Sequence, residues 1–266
     1  MLKGLTNVLR TTGLELQRQN PHWFLGFLRC ASTNGASTIE YRPPESRDFE
    51  PTLELLKHVF TTREPITMGL HVDKADFESW APRAVDEMFQ QHVSLVARDT
   101  STDLLVGFQL SEIETPNSTT GFNAVAQRCH NPRFQKLFRL LKDLDRLADP
   151  YNRFGVDKLF RLRMIAVHDD YLKQGIGKEL FKRSVDDVFP TSGCEMAVSE
   201  CTGIQSQRLF RKNGFQAVAH IDYAYYTVDG DRMLDLIKVY PHSCVKFFAR
   251  ESTACFSQKL ISNWGL

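Results

Sequence analysis

The sequence pattern of residues 161–180, RLRMIAVHDDYLKQGIGKEL, is typical of a strand, turn and helix that bind phosphate. The apolar run Leu162–Val167 predicts a strand, Gly175 and Gly177 predict a turn, and the residues that follow predict a helix. Such a turn exposes backbone N–H groups, and the helix start adds unsatisfied donors and the positive end of its dipole. The alternative is an ordinary turn before a helix. The spacing matches neither the P-loop nor the three-glycine dinucleotide pattern, so neither site is indicated.

The elements that would position this turn are predicted from periodicity along the chain. Strands are predicted at Thr38–Arg42, Val93–Arg98, Leu104–Glu112, Leu162–Val167, Cys194–Ser199, Ala217–Thr227 and Met233–Tyr240. Helices are predicted at Asp48–Phe60, Lys74–Gln91, Phe134–Ala148, after Gly177, and at Ile204–Lys212. The order indicates an α/β (α+β) fold with a helical insertion, within 115–158, after the third strand.

Two motifs give this order a family resemblance. The pattern V-x-x-x-Y-x-x-x-G-I-G-x-x-L, followed by S-x-R-L-F-x-K-N-G-F, resembles the GNAT N-acetyltransferase superfamily over roughly 38–250, and most strongly over 160–216. The resemblance implies a GNAT fold with a mixed central β-sheet of about seven strands flanked by helices. In the insect and nematode arylalkylamine (dopamine-type) N-acetyltransferases, an insertion at the same place helps to wall the amine pocket.

The resemblance also implies that acetyl-CoA is the co-substrate, with no metal. In the family the glycine turn cradles the pyrophosphate, and the strand before it meets the pantetheine arm through main-chain hydrogen bonds. The residues so assigned are Ile165, Ala166, Val167, Lys173, Gln174, Gly175, Ile176, Gly177 and Lys178. The family usually has Arg or Gln at the position of Leu172, and Lys173 could partly replace that phosphate contact.

Glu64 is the candidate general base. Alkylamines are mostly protonated near pH 7, so acetyl transfer needs a group that takes the proton, directly or through water. Glu64 follows an amphipathic helix in the segment F-x-x-x-E-P-I, and Pro65 disfavours helical backbone at Glu64. The insect arylalkylamine enzymes carry a closely similar segment, whose Glu is their catalytic base. The alternative is an exposed loop Glu.

Thr202 and Ser206 are a second candidate pair. In the insect enzymes two hydroxyl residues stand here and form a proton relay with the Glu; the alternative is that Thr202 only caps the helix Ile204–Lys212. Many superfamily members have a Tyr at the position of Phe210, and Phe cannot protonate a leaving thiolate. This favours the Thr/Ser mechanism, or a protein that binds acyl-CoA but turns over poorly. His168 is a further candidate base.

Composition restricts the function classes. The 266 residues carry a net charge of +1, which indicates neither nucleic acid nor membrane binding. Six scattered cysteines without a C-x-x-C pair indicate reduced thiols in an intracellular protein. No apolar run reaches the length of a transmembrane helix. Residues 1–37 are basic and poor in acids, as in a basic tail or a mitochondrial presequence, and precede an acetyltransferase domain at 38–266.

The sequence thus predicts a monomeric N-acetyltransferase, cytoplasmic or alternatively mitochondrial, that acetylates a small primary amine. The family resemblance favours an arylalkylamine, and polyamines or amino acids are alternative acceptors. One of Tyr223, Tyr225 and Tyr226, which are predicted as strand residues, could line the amine pocket. Leu172 and Phe210 motivate a different class of protein, a non-catalytic acyl-CoA sensor.

Overall fold

The computed structural model describes residues 38–252, so the proposed tail or presequence at 1–37 lies outside the described residues. The strands are β1 Ile39–Arg42, β2 Leu95–Asp99, β3 Leu104–Glu114, β4 Leu159–Val167, β5 Met196–Cys201, β6 Gln216–Asp222, β7 Thr227–Val228, β8 Asp231–Arg232 and β9 Cys244–Glu251. The α-helices are α1 Phe49–Thr62, α2 Pro65–Gly69, α3 Ala81–Gln90, α4 Phe122–Gln127, α5 Pro132–Ala148, α6 Pro150–Phe154, α7 Ile176–Arg183, α8 Ile204–Lys212 and α9 Leu236–Val239. No helix among these residues is both long and apolar enough to span a bilayer.

Seven strands form one mixed sheet in the order β1-β2-β3-β4-β5-β9-β6, and helices flank it. Only the β4–β5 pair is parallel. The predicted mixed seven-stranded sheet and the insertion after the third strand are therefore confirmed. The insertion consists of α4, α5 and α6.

Two predicted elements are wrong. Residues 233–240 do not form the last strand of the sheet, because Asp235 caps α9 by accepting from the Ile237 N–H group (2.9 Å). The last strand is β9, which lies between β5 and β6 and is buried along most of its length. The predicted helix Lys74–Gln91 is a 3₁₀ helix, Lys74–Ser79, followed by α3, because Pro82 at the start of α3 has no N–H group to continue the first helix.

The two central parallel strands separate along their length. β4 pairs with β5 only from Leu159 to Arg161, and one further contact joins the Ser199 hydroxyl to the Leu162 carbonyl oxygen (2.8 Å). A β-bulge at Arg163 then shifts the register of β4 against β3. Among residues 38–252, the carboxyl-terminal part of β4 therefore has a strand partner on its β3 side only.

Aromatic side chains fill the core on both faces of the sheet. On one face Trp80 packs against rings from α4, α5 and the 3₁₀ helix, namely Phe77, Phe122, Phe134 and Phe138. On the other face Phe210 of α8 packs against Phe181, Phe215 and Phe248. The inserted helix α5 is thus anchored to the domain by its aromatic face.

Candidate active site

The helix that follows the glycine turn begins without a side-chain cap. Gly175 has φ +85°, a conformation that side-chain-bearing residues rarely adopt, and it is the N-cap residue of α7 with no side-chain cap. The first N–H groups of α7 therefore have no helical partner. A Cβ added to Gly175 would meet nothing within 4 Å, so the space above the turn can hold a ligand atom. The predicted residues Lys173, Gln174 and Lys178 are exposed around it.

The end of β4 lies against this turn. A Cβ on Gly177 would be 3.3 Å from Val167 Cγ2 and 3.9 Å from Ile165 Cδ1, so α7 packs closely on the strand. The His168 N–H group donates to Val106 on β3 (2.9 Å). By the alternation of a β-strand, the main chain of Ala166 is directed to β3, and that of Ile165 and Val167 to the open side. Ile165 therefore offers its main-chain groups to a ligand, whereas Val167 offers its N–H group, because Arg63 Nη2 already donates to the Val167 carbonyl oxygen (2.6 Å).

Glu64 is the N-cap residue of α2. Its Oε2 atom accepts from the Thr67 N–H group (2.7 Å), and its backbone is extended (φ −83°, ψ 122°) before Pro65. Its Oε1 atom is buried and has no hydrogen-bond partner among the described residues. Because a buried carboxylate oxygen without a partner is costly, it is a candidate for a ligand or water contact. The exposed-loop alternative does not describe this side chain.

The end of β5 lies beside the Glu64 turn. A Cβ on Gly203 would be 3.5 Å from Pro65 Cγ and 3.6 Å from His242 Cε1. The buried Tyr223 hydroxyl donates to the Thr202 carbonyl oxygen (2.7 Å). The structure thus brings Glu64 and Thr202 into one neighbourhood, built from four separate parts of the sequence.

The hydroxyl of Ser206 is directed at the main chain. Its Oγ atom donates to the Gly203 carbonyl oxygen (2.9 Å) and accepts weakly from the Gly203 N–H group (3.4 Å). The N-cap residue of α8 is Gly203, so the alternative that Thr202 caps this helix is wrong. His242 Nδ1 accepts from the Ile204 N–H group (3.0 Å) and thereby satisfies a second donor at the helix start.

Comparison with known proteins identifies this arrangement. The model of the acetyltransferase (GNAT) family matches residues 148–215, which include β4, the glycine turn, β5 and α8. Residues 148–215 are therefore similar to the GNAT acetyltransferase family. No curated protein matches the chain.

Solved structures of similar fold match 80% of this chain. A mosquito arylalkylamine N-acetyltransferase like 5b has a TM-score of 0.69 at 20% identity, covering 80% of this chain and 100% of that one. Arylalkylamine N-acetyltransferase 2 from Aedes aegypti has a TM-score of 0.67 at 20% identity, covering 80% and 98%. A polyamine N-acetyltransferase from Drosophila melanogaster, which forms N-acetylagmatine, has a TM-score of 0.66 at 17% identity, covering 80% and 100%. At these identities the likeness establishes the fold.

A cavity of about 580 Å³ lies between the inserted helices of the GNAT domain and the sheet. The rings of Phe122 and Phe138 form part of its apolar wall. The other side includes the polar groups of Asp145, Arg161 and Glu200. Glu200 lies on β5 two residues before Thr202, which follows the end of the strand, so the two residues are about 7 Å apart along the chain.

Buried charges form the floor of this cavity. Arg161 is 1% exposed and pairs with Glu200 Oε1 (2.5 Å), Asp145 Oδ1 (2.6 Å) and Glu114 Oε2 (2.9 Å). Arg163 pairs with Glu112, Glu114 and, at 3.5 Å, Glu200 Oε2. The network therefore holds four carboxylates against two guanidinium groups.

Burial and charge shift the pKa values of several site residues. Burial alone would raise the pKa of Glu114, but Arg163 and Arg161 outweigh it and hold that pKa below its usual range. Burial, with the charge of Glu64, raises the pKa of Tyr223 well above its ordinary value. Burial lowers the pKa of His242, and Glu64 opposes this effect. Glu114 is thus ionised, and Tyr223 and His242 are neutral, at neutral pH.

Sequence reasoning missed part of this site. Tyr223, Tyr225 and Tyr226 follow β6 instead of lying in it, and only Tyr223 is fully buried, whereas Tyr225 is 84% exposed. His242 stood outside every predicted element, so no local signal marked it. The candidate base His168 accepts from the Asp170 N–H group of its own turn (3.3 Å). No group of metal-binding side chains occurs within residues 38–252.

Proposed function

We propose that the GNAT domain transfers the acetyl group of acetyl-CoA to the primary amine of a small molecule, with Glu64 as the general base. The observation that carries this proposal is the unpartnered, buried Oε1 atom of Glu64 beside the end of β5. Oε2 is engaged with the Thr67 N–H group, so Oε1 is the oxygen available to accept a proton, directly or through water.

The residues beside the separated ends of β4 and β5 suit the binding of acetyl-CoA. The open space above Gly175 and the uncapped start of α7 suit a pyrophosphate. The main chain of Ile165 and the N–H group of Val167 suit an amide-bearing arm. Glu64 first takes a proton from the ammonium group, and the neutral nitrogen then attacks the thioester carbonyl carbon. The C–S bond breaks, the sulfur leaves as a thiolate, and the nitrogen loses a second proton, which the thiolate takes up. Phe210 is packed among rings and carries no proton, so the hydroxyl groups of Thr202 and Ser206 are the proposed relay.

The cavity under the inserted helices is the proposed amine pocket. The rings of Phe122 and Phe138 favour an arylalkylamine, because aromatic groups pack well edge-to-face. The surplus of buried carboxylates over guanidinium groups favours a second candidate, a polyamine or guanidino-amine with a cationic tail. The Drosophila and mosquito structures include enzymes named for each of these classes.

The test is release of free CoA thiol from acetyl-CoA in the presence of an arylalkylamine, a polyamine, agmatine or an amino acid. Glu64→Gln keeps an oxygen for the Thr67 N–H group and should lower kcat by roughly 10²–10⁴-fold. The loss should shrink at high pH, where more of the amine is neutral. The control is Glu50→Gln, which changes an exposed carboxylate of α1 and should leave kcat unchanged.

Three outcomes are distinct. Equal turnover by wild type and Glu64→Gln would remove Glu64 from the mechanism. Binding of acetyl-CoA without turnover of any amine would favour the acyl-CoA sensor. Turnover of one amine class alone would select between the two candidate acceptors.

A further inference from the structure

We infer that Arg63 is a positioning residue that fixes the Glu64 turn to the end of β4. This inference rests on the proposed role of Glu64 as the base. It concerns a side chain that acts through its neighbour in the sequence.

The contacts of Arg63 join three elements. Its Nη2 atom donates to the Val167 carbonyl oxygen (2.6 Å) and lies 3.1 Å from Asp169 Oδ1. The other oxygen of Asp169 lies 2.6 Å from His58 Nε2 on α1. The hydrogen bond from His58 is the main cause that holds the pKa of Asp169 below its usual value, so this partner of Arg63 is anionic at neutral pH. One guanidinium group therefore links the end of α1 to the last residue of β4.

The contacts of Arg63 affect the position of the Glu64 carboxylate. Arg63 is the C-cap residue of α1 (φ −139°, ψ −13°), and Glu64 follows it before Pro65 restricts the chain again. A shift of the Arg63 backbone would move the Glu64 carboxylate relative to β4. Val167 lies on the side of β4 that β5 leaves open, where the amide-bearing arm of acetyl-CoA is proposed to bind. The Arg63–Val167 hydrogen bond thus sets the position of the proposed base relative to the proposed acetyl donor.

Arginine suits this position because of its shape. Its planar group carries five N–H donors and can bond a carbonyl oxygen and a carboxylate at once, whereas the compact ammonium of lysine bonds them less well together. The ion pair with Asp169 is partly exposed, and such pairs contribute little to stability. Replacing Arg63 should therefore leave the domain folded and affect mainly geometry.

The test compares Arg63→Met and Arg63→Lys with Arg47→Met, a control that removes an exposed arginine paired with Glu45. Because a displacement of about 1 Å at a reacting group can cost about 100-fold, we expect Arg63→Met to lower kcat by about 10- to 100-fold. The KM for acetyl-CoA should change by less than about threefold, since β4 keeps its pairing with β3. Arg63→Lys should recover part of kcat, and Arg47→Met should match wild type.

A double mutant separates positioning from a general structural effect. If Arg63 acts through Glu64, Arg63→Met should cost little more in a Glu64→Gln background. Wild-type kcat in folded Arg63→Met, or independent losses that multiply in the double mutant, would overturn the inference. If Arg63→Met does not fold, the same comparison is made with Asp169→Asn, which weakens the tether from its other end. A wild type that acetylates no amine, or an unaffected Glu64→Gln, would instead refute the proposed function.

Discussion

Replacing Gly175 by Ala tests the assignment of the glycine turn to CoA. At φ +85° an L-residue is strained, and the left-handed conformation costs roughly 1–2 kcal/mol. No atom lies within 4 Å of the added Cβ, so we expect no steric penalty in the free protein beyond that amount. The methyl group would, however, occupy the space proposed for the pyrophosphate.

Gly230, in the turn between β7 and β8, provides a matched control. Its φ is +90°, and a Cβ there also meets nothing within 4 Å, so Gly230→Ala carries the same backbone penalty away from the proposed CoA site. Both variants should lose roughly 1–2 kcal/mol in the free energy of unfolding, as measured in urea. Only Gly175→Ala should also lose CoA affinity, by about tenfold or more.

The assay is thermal or urea unfolding with and without CoA, together with titration calorimetry. At a CoA concentration of 100 times Kd, binding stabilises the protein by about 2.7 kcal/mol. A tenfold loss of affinity would reduce this at the same concentration to about 1.4 kcal/mol. Unchanged CoA affinity in folded Gly175→Ala would refute the assignment of the pyrophosphate to this turn.

Three further predictions concern the other site residues. Arg161→Met should lower the free energy of unfolding by about 3–5 kcal/mol in urea, because it leaves buried carboxylates without a partner. The control Arg146→Met changes a side chain that is 75% exposed and should lower it by less than about 0.5 kcal/mol. Ser206→Ala should lower the free energy of unfolding in urea by about 1 kcal/mol, because the contacts at the start of α8 are lost. Thr202→Ser keeps the hydroxyl group and should therefore retain more turnover than Thr202→Val. Burial lowers the pKa of His242 from 6.5 in the folded protein, so the unfolded chain binds a proton at His242 more readily. The stabilising contribution of neutral His242 is therefore present above about pH 6.5 and is lost as the pH falls through the folded pKa. His242→Gln should lose less stability than wild type between about pH 7.5 and 5, and an equal loss would contradict this.

The fold was predictable where local signals are strong. Helix α8 has the bounds Ile204–Lys212 that apolar spacing and Gly214 predicted. The apolar run at 233–240 was ambiguous because short apolar segments suit strands and helices alike, and the Asp235 cap decided it. Strand β9 lies beyond that run, and its place between β5 and β6 depends on pairing that periodicity does not encode.

The candidate site was predictable in its local parts only. The glycine turn and the position of Glu64 before Pro65 follow from short sequence motifs. Tyr223 and His242 reach the same neighbourhood from segments about 160 and 180 residues away, and a single sequence does not report such contacts. The alternation of Arg161 and Arg163 with apolar residues was visible, but only the fold shows that four carboxylates surround them.

The separation of β4 from β5 gives this sheet a third edge. Within the part of the chain that the structure describes, β1 and β6 form the outer edges, and the unpaired side of β4 is an edge inside the sheet. Exposed edges normally invite pairing with other chains, which can lead to aggregation. Here β5 remains paired with β4 as far as Arg161, so another strand could not pair with this side of β4 along its full length. An extended molecule with its own amide groups needs only the unpaired part, so the same geometry that offers hydrogen bonds also limits the length over which they are available.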